Sequence, residues 1–304
     1  MQEAIMNFFH SLSTPFLDAL GEGITFFGEQ TVFILITAYI LWCGNKRSGF
    51  ALFSTLFVAL FTMNALKAIV RQERPFKIIE GLSGKRLETA TGYSFPSGHT
   101  TGASAFYSSL AYIVKKRWLS ILCAVIILLV GISRMYLLVH WPLDVAAGLI
   151  LGIVSTFVLT AWLLKLYDNN KLVSRFSWII GGSSAVVSLA MAVLIDAGTI
   201  DPVAFTDMMK LLALAAGGYI GFAIDRNYIS YGTSGDWKTK IVRFVFGIAI
   251  VLLIQGAKAL LPEHLVFSFI RYALTGLWAT ALYPLIGKHI PIWNKKKLFT
   301  REDT

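Results

Sequence analysis

Charge is scarce in this sequence. Only 14% of its 304 residues are Asp, Glu, Lys or Arg, against 56% hydrophobic, too few to coat the surface of a soluble domain of this length. Cysteine is scarcer still. Cys43 and Cys123 lie inside apolar stretches at unrelated spacing, which argues against a disulfide framework and against a thiolate metal site. Acidic residues number 17 against 27 basic ones, for a net charge of +10. The basic residues fall in short connections between apolar runs and form no single patch, so a nucleic-acid partner is not expected. The N-terminus lacks a basic segment leading into a short apolar core and a small-residue cleavage site. No removable signal peptide is expected, and the spans themselves should direct insertion.

Apolar sequence is what the chain has in abundance, with a mean hydropathy of +0.67. Crossing ~30 Å of hydrocarbon takes about 17–25 residues at 1.5 Å each. Runs of that kind recur at about 24–43, 50–70, 97–114, 118–138, 142–166, 176–195, 207–224, 241–261 and 265–287. Ahead of them, Ile5, Phe8, Phe9, Leu12 and Phe16 repeat at helical spacing among polar residues, the pattern of an amphipathic interfacial helix. The expected architecture is an all-α polytopic membrane bundle. Its parts are an interfacial helix over 1–23, a six-span core over 24–195, and about three further spans with a basic cytoplasmic tail over 196–304.

Alternate connections differ in Lys and Arg, which orients the bundle. Lys46 and Arg47, Lys115 to Arg117, Lys165 to Arg175, Arg226 to Arg243, and the tail from Lys288 to Arg301 mark one side as cytoplasmic. The opposite connections are acidic or neutral, except for the loop over 71–96. Tyr228, Tyr231 and Trp237, in the polar connection over 225–240, are expected to anchor at the interface.

Strongly polar residues gather in three places, all at the ends of spans on the side opposite the basic loops. These are Lys67 with Arg74-Pro75, then Pro96-Ser97-Gly98-His99, then Ser133-Arg134, His140 and Asp144. Each has an ordinary explanation taken alone. Lys67 and Arg74 could snorkel, Ser97 could be an N-cap, Asp144 could favour a helix dipole behind Pro142, and His140 could be a packed histidine. Their joint occurrence on consecutive spans at one membrane face points elsewhere, because polar groups in a membrane are costly to keep. Three cations from three segments, a serine hydroxyl and free amides at a helix start suit the charge on a transferring phosphoryl group. Gly98 would let an oxyanion approach the backbone closely.

These segments read Lys-x6-Arg-Pro, Pro-Ser-Gly-His and Ser-Arg-x5-His-x3-Asp, and in that order they resemble the type 2 phosphatidic acid phosphatase family over residues 24–167. The resemblance implies that His140 attacks phosphorus, that His99 protonates the leaving oxygen, and that Asp144 orients His140 and stabilises its charge. A phosphohistidine intermediate would follow. Lys67, Arg74, Ser97, Gly98 and Arg134 would bind phosphate. No metal or other cofactor is expected, since Asp144 is the single acid within the motifs and Glu73, Glu80 and Glu88 lack ligand spacing. His10, His264 and His289 have no motif around them and are read as interfacial.

The substrate implied is a membrane lipid phosphate or diphosphate such as undecaprenyl diphosphate, phosphatidate or phosphatidylglycerophosphate, handled at the extracytoplasmic face of the cell membrane. Glucose-6-phosphatase is similar in its motifs and span number, but Asp144 four residues after His140 follows the lipid-phosphatase pattern. A phosphotransferase or a lipid transporter is a further alternative. The C-terminal spans lie outside the resemblance and leave open a lipid path, a homodimer interface or a regulatory element.

Overall fold

The computed structural model describes residues 1–262 and 264–290, and among these the regular structure is entirely helical. The N-terminal stretch is helical in two pieces, α1 (Gln2–Ser11) and α2 (Pro15–Thr25). The break has a local cause. Pro15 starts α2 and the Thr14 hydroxyl accepts from the Leu17 amide, a start that satisfies one free N–H and removes another. Met6 of α1 is fully buried in a cluster with Leu82, Leu138 and Trp141, so this element packs on the protein. α2 then turns by 43° into α3 (Gln30–Cys43).

The chain continues through α4 (Lys46–Val70), the single turn α5 (Pro75–Ile78), α6 (Gly98–Val114), α7 (Arg117–Tyr136), α8 (Pro142–Asp168) and α9 (Asn170–Asp196). It ends with α10 (Pro202–Ile224), α11 (Trp237–Gly256), α12 (Leu265–Leu277) and α13 (Tyr283–His289). Polar caps set the starts of the long helices. Asn45, Ser97, Asn169, Asp201 and Asp236 each accept a backbone N–H from the first turn of α4, α6, α9, α10 and α11. The tail residues Lys295 to Arg301, expected to be cytoplasmic, lie outside the described residues.

Among the described residues seven helical runs are long and apolar enough to cross a membrane, and the bent pair α2–α3 makes an eighth if it counts as one span. The protein is an integral membrane protein. The one expected span missing from these runs is that over 97–114, which corresponds to α6, only 17 residues long and carrying buried Thr100, Thr101, Ser104 and Ser109. Every residue from Thr100 to Tyr107 is buried. Walled in by α4, α7 and α8, α6 does not need the apolar surface that lipid contact demands.

Small residues let the helices close on one another. A Cβ on Gly152 of α8 would lie 1.8 Å from Ser104 Oγ of α6, and one on Gly148 would lie 2.8 Å from the Ser97 carbonyl oxygen. Such contact is open to glycine alone, the small-xxx-small arrangement of membrane helices. Hydroxyls extend the seam. Ser109 bonds Thr156 and Thr160, each at 3.1 Å, and Thr160 bonds Thr55 at 3.1 Å, tying α4, α6 and α8. Gly217 and Gly221 of α10 make the same approach to Ala273 and Thr280.

Aromatic residues fill the opposite end of the bundle, where Trp42 stacks on Tyr283 at 4.3 Å. Tyr231, expected at the interface, is instead 4% exposed within this cluster, whereas Tyr228 and Trp237 are exposed as expected. The cause is local ion pairing. Asp225 accepts from the Tyr231 amide and holds Lys46 at 2.6 Å, which places the ammonium over the Tyr231 ring.

Candidate active site

Motif residues separated by up to 77 positions meet at one end of α4, α6, α7 and α8. Lys67, Arg74, Gly98, His99 and His140 line one cavity. Ser97 and Asp144 are joined through the Ser97 amide and the Asp144 carbonyl at 3.0 Å. Arg134, fully buried, donates from Nη1 to Thr25 Oγ1 at 2.9 Å.

Asp144 sits in the first turn of α8, behind Trp141 as N-cap and Pro142. Its Oδ2 accepts from the Trp141 amide at 2.9 Å, from Ser94 Oγ, and lies 3.2 Å from His140 Nδ1. One carboxylate oxygen thus closes the helix start and orients the histidine. Across the ring, Arg74 Nη1 is 3.2 Å from His140 Nε2. A carboxylate only accepts and a guanidinium only donates, so the two partners fix the tautomer. Nδ1 carries the proton and Nε2 the lone pair. Burial first, and then the charges of Arg74, Arg134 and Lys67 with His99 beside them, push the His140 pKa well below its usual 6.5.

The two other cations are held by loop carbonyls. Arg74 donates to Thr91, Gly92 and Val139 at 2.7, 3.1 and 2.8 Å, and Lys67 Nζ donates to the Tyr93 carbonyl. Ser97 caps α6, its Oγ accepting from the Thr100 amide and hydroxyl. At Gly98 an added Cβ would meet only the flexible Met63 methyl, at 3.4 Å, so packing does not explain this glycine. His99 Nε2, Arg134 Nε and Nη2, and Asp144 Oδ1 are buried without a hydrogen-bond partner, where such groups are normally paired.

Ser94 was not legible from the sequence. It belongs to no spacing, and only its place three residues ahead of Ser97 hints at it. Its loop is clamped on several sides. Lys85 pairs with Asp18 and Arg86 with Glu29, while Thr91 and Tyr93 bond Asp207 and Asp201 of the α10 region at 2.7 and 3.0 Å. Among the described residues no group of three His, Cys, Asp or Glu side chains could hold a metal ion.

The model of the PAP2 superfamily matches residues 48–168, and that of the PAP2 superfamily phosphatase transmembrane extension matches 209–295. An undecaprenyl-diphosphatase of Sulfolobus acidocaldarius is 33% identical over 45% of this chain and 66% of its own. YbjG of Escherichia coli is 31% identical over 47% of this chain and 72% of its own. Phosphatidylglycerophosphatase B of Bacillus subtilis is 29% identical over 57% and 85%. The chain belongs to the PAP2 superfamily, and by class it is a membrane phosphatase. All eight candidate residues fall within the first match, and the C-terminal helices, which the sequence reading left outside any resemblance, are a family feature in their own right.

Proposed function

We propose that the protein hydrolyses a lipid phosphate or diphosphate at the extracytoplasmic membrane face through a phosphohistidine on His140. The observation that carries this reading is His140, its Nδ1 held by Asp144 and its Nε2 facing Arg74, in a site where nitrogens of Arg134 and His99 are buried without a protein partner. In the first step Nε2 forms a bond to phosphorus as the bond to the leaving oxygen breaks, the ester oxygen of a monophosphate or the bridging oxygen of a diphosphate, and His99 in its protonated form gives that oxygen its proton. Asp144 stabilises the imidazolium through Nδ1–H. Water then attacks phosphorus, His99 takes a proton from it, and the N–P bond breaks. Arg74, Lys67, Arg134, the Ser97 hydroxyl and the amides at Gly98 hold the phosphoryl oxygens, Arg74 and Lys67 exchanging loop carbonyls for phosphate. Residues 24–195 form the catalytic core and 196–304 an extension. No metal takes part.

The test is phosphate release by the detergent-purified protein in EDTA from undecaprenyl diphosphate, phosphatidate, phosphatidylglycerophosphate and glucose 6-phosphate. The two diphosphatase and phosphatidylglycerophosphatase relatives favour the lipids. Release from glucose 6-phosphate alone would sink the lipid reading, and loss of all activity in EDTA the metal-free one.

A depressed His140 pKa keeps the nucleophile neutral below the usual histidine range. Activity should therefore persist as pH falls through 6.5 and drop only at the lower pKa of the folded protein. Over the same window the unfolded chain binds the extra proton, so acid also lowers stability. A pH–rate profile of kcat/KM whose acid limb lies above 6.5 would contradict the assignment.

The Lys and Arg distribution supports the membrane side, and the exceptional loop has an explanation, since its Lys85 and Arg86 are paired with Asp18 and Glu29. A cysteine introduced at Gly84 should react with an impermeant reagent outside intact cells, and one at Gly235 should stay protected. The reverse pattern would put the site in the cytoplasm.

A further inference from the structure

The cavity that opens at Lys67, Arg74, His99 and His140 does not end there. With a volume of about 420 Å³, it continues between the core and the extension. On α4 its lining runs from Lys67 to Phe53, roughly 21 Å of helix at 1.5 Å per residue and so about two thirds of a ~30 Å hydrocarbon layer. The other walls run in the same sense. α3 lines it from Gln30 to Trp42, α10 from Asp207 to Gly218, and α12 with the helical turn after it from Tyr272 to Thr280. Polar residues cluster at the phosphate end. Beyond them the lining is mainly apolar, with Leu60, Leu211, Leu214 and Phe57 among a few threonines, and Trp42, which donates to the Ala279 carbonyl at 2.8 Å, lies at the far end.

We infer that α10 and α12 make the extension part of the substrate site, walling a lengthwise tunnel that takes the long apolar chain of the phosphate ester. The inference rests on the lipid reading above and deepens it. A tunnel that is cationic at one end, apolar along most of its length and parallel to the helices fits a single extended hydrocarbon chain whose phosphate sits at His140. The chemistry is common to acyl and polyprenyl chains. The wall contributed by the extension makes chain length a determinant of specificity, because only a long chain extends past Leu214 to the contacts on Gly218 and Ala279. The extension is also fastened to the phosphate end, where Asp207 accepts from Thr91.

The experiment uses the full chain in detergent and compares kcat/KM for undecaprenyl diphosphate with that for farnesyl diphosphate, and for a long-chain phosphatidate with that for its dihexanoyl analogue. Leu214→Trp and Ala279→Trp should each lower the long-to-short preference about tenfold, equal to ~1.4 kcal/mol. The two substrate pairs show whether prenyl or acyl chains use the tunnel. Leu253→Trp, on a side chain 69% exposed to the outside of α11, should keep the wild-type preference. A preference unchanged in both tunnel variants, or lowered equally in Leu253→Trp, would overturn the inference. Wild-type protein that releases phosphate from no lipid would defeat the function proposed above instead. The tunnel is then read by photolabelling with an alkyl phosphate carrying a terminal diazirine. Label near Phe53 and Gly218 supports it, and label confined to outward-facing residues overturns it.

Discussion

His140→Ala is expected to fold normally and to lose turnover by a factor on the order of 10⁴ or more. The fold survives because neither buried partner is stranded. Arg74 Nη1 still donates to the Val139 carbonyl, and Asp144 Oδ2 still accepts from Trp141 and Ser94, so no unpaired charge is left behind. Asp144→Asn separates charge from orientation. With its oxygen at the Oδ2 position the amide still accepts from Trp141, Ser94 and Nδ1–H, and what it lacks is the negative charge that stabilises the imidazolium. A loss on the order of 10³–10⁴ in kcat is expected, with little change in stability. Phosphate release and thermal unfolding of both variants in detergent provide the check. Near-normal turnover in His140→Ala would rule out a phosphohistidine on that residue.

Gly152→Ala is expected to be among the most damaging single methyl groups in the protein. Its Cβ would meet Ser104 Oγ at 1.8 Å, the Ala105 nitrogen at 2.6 Å and the Thr101 oxygen at 2.8 Å. Two of these atoms are backbone and cannot rotate away. The α6–α8 seam must then part, at a cost of about 3 kcal/mol or more. Parting the seam also moves Ser97 and His99 on α6 away from Asp144 on α8, so activity should fall together with stability. Gly256→Ala is the comparison, since nothing lies within 4 Å of its Cβ and helix propensity favours alanine there by roughly 0.5–1 kcal/mol. Equal melting temperatures for the two variants would refute the packing argument.

The motif residues could be read from the sequence because a membrane span makes every charged group conspicuous. Lys67, Arg74, Arg134 and Asp144 have few competitors within apolar runs, and their order did the rest. Ser94 and Thr25 were invisible for the opposite reason. Each is one hydroxyl among many, and its importance is a distance to Asp144 or Arg134 that no local pattern encodes. The helix positions were legible from hydropathy, but α6 was read as an ordinary span, because composition does not say whether a helix faces lipid or other helices. Thr14-Pro15 did carry the break between α1 and α2, hidden by an apolar periodicity that runs across it. Tyr231 was misplaced because its burial depends on Asp225 and Lys46, the latter far away in the chain. The roles of Arg74 and Lys67 as struts between loops were likewise beyond reach, since their partners are backbone carbonyls, which every residue has.

The ties between the Ser94 loop and α10 also set a timetable. Tyr93 and Thr91 wait for carboxylates 108 and 116 residues downstream, which at about 5–20 residues per second emerge from the ribosome on the order of ten seconds later. Lys85 and Arg86 need no such wait, because Asp18 and Glu29 are made before them. The newborn chain thus passes through a stage in which every motif residue has been synthesised and Arg74, Lys67 and Asp144 can hold the loop beside His140, while its ties to α10 are still missing. The last of the loop's ties therefore forms late in biosynthesis, when α10 joins the bundle.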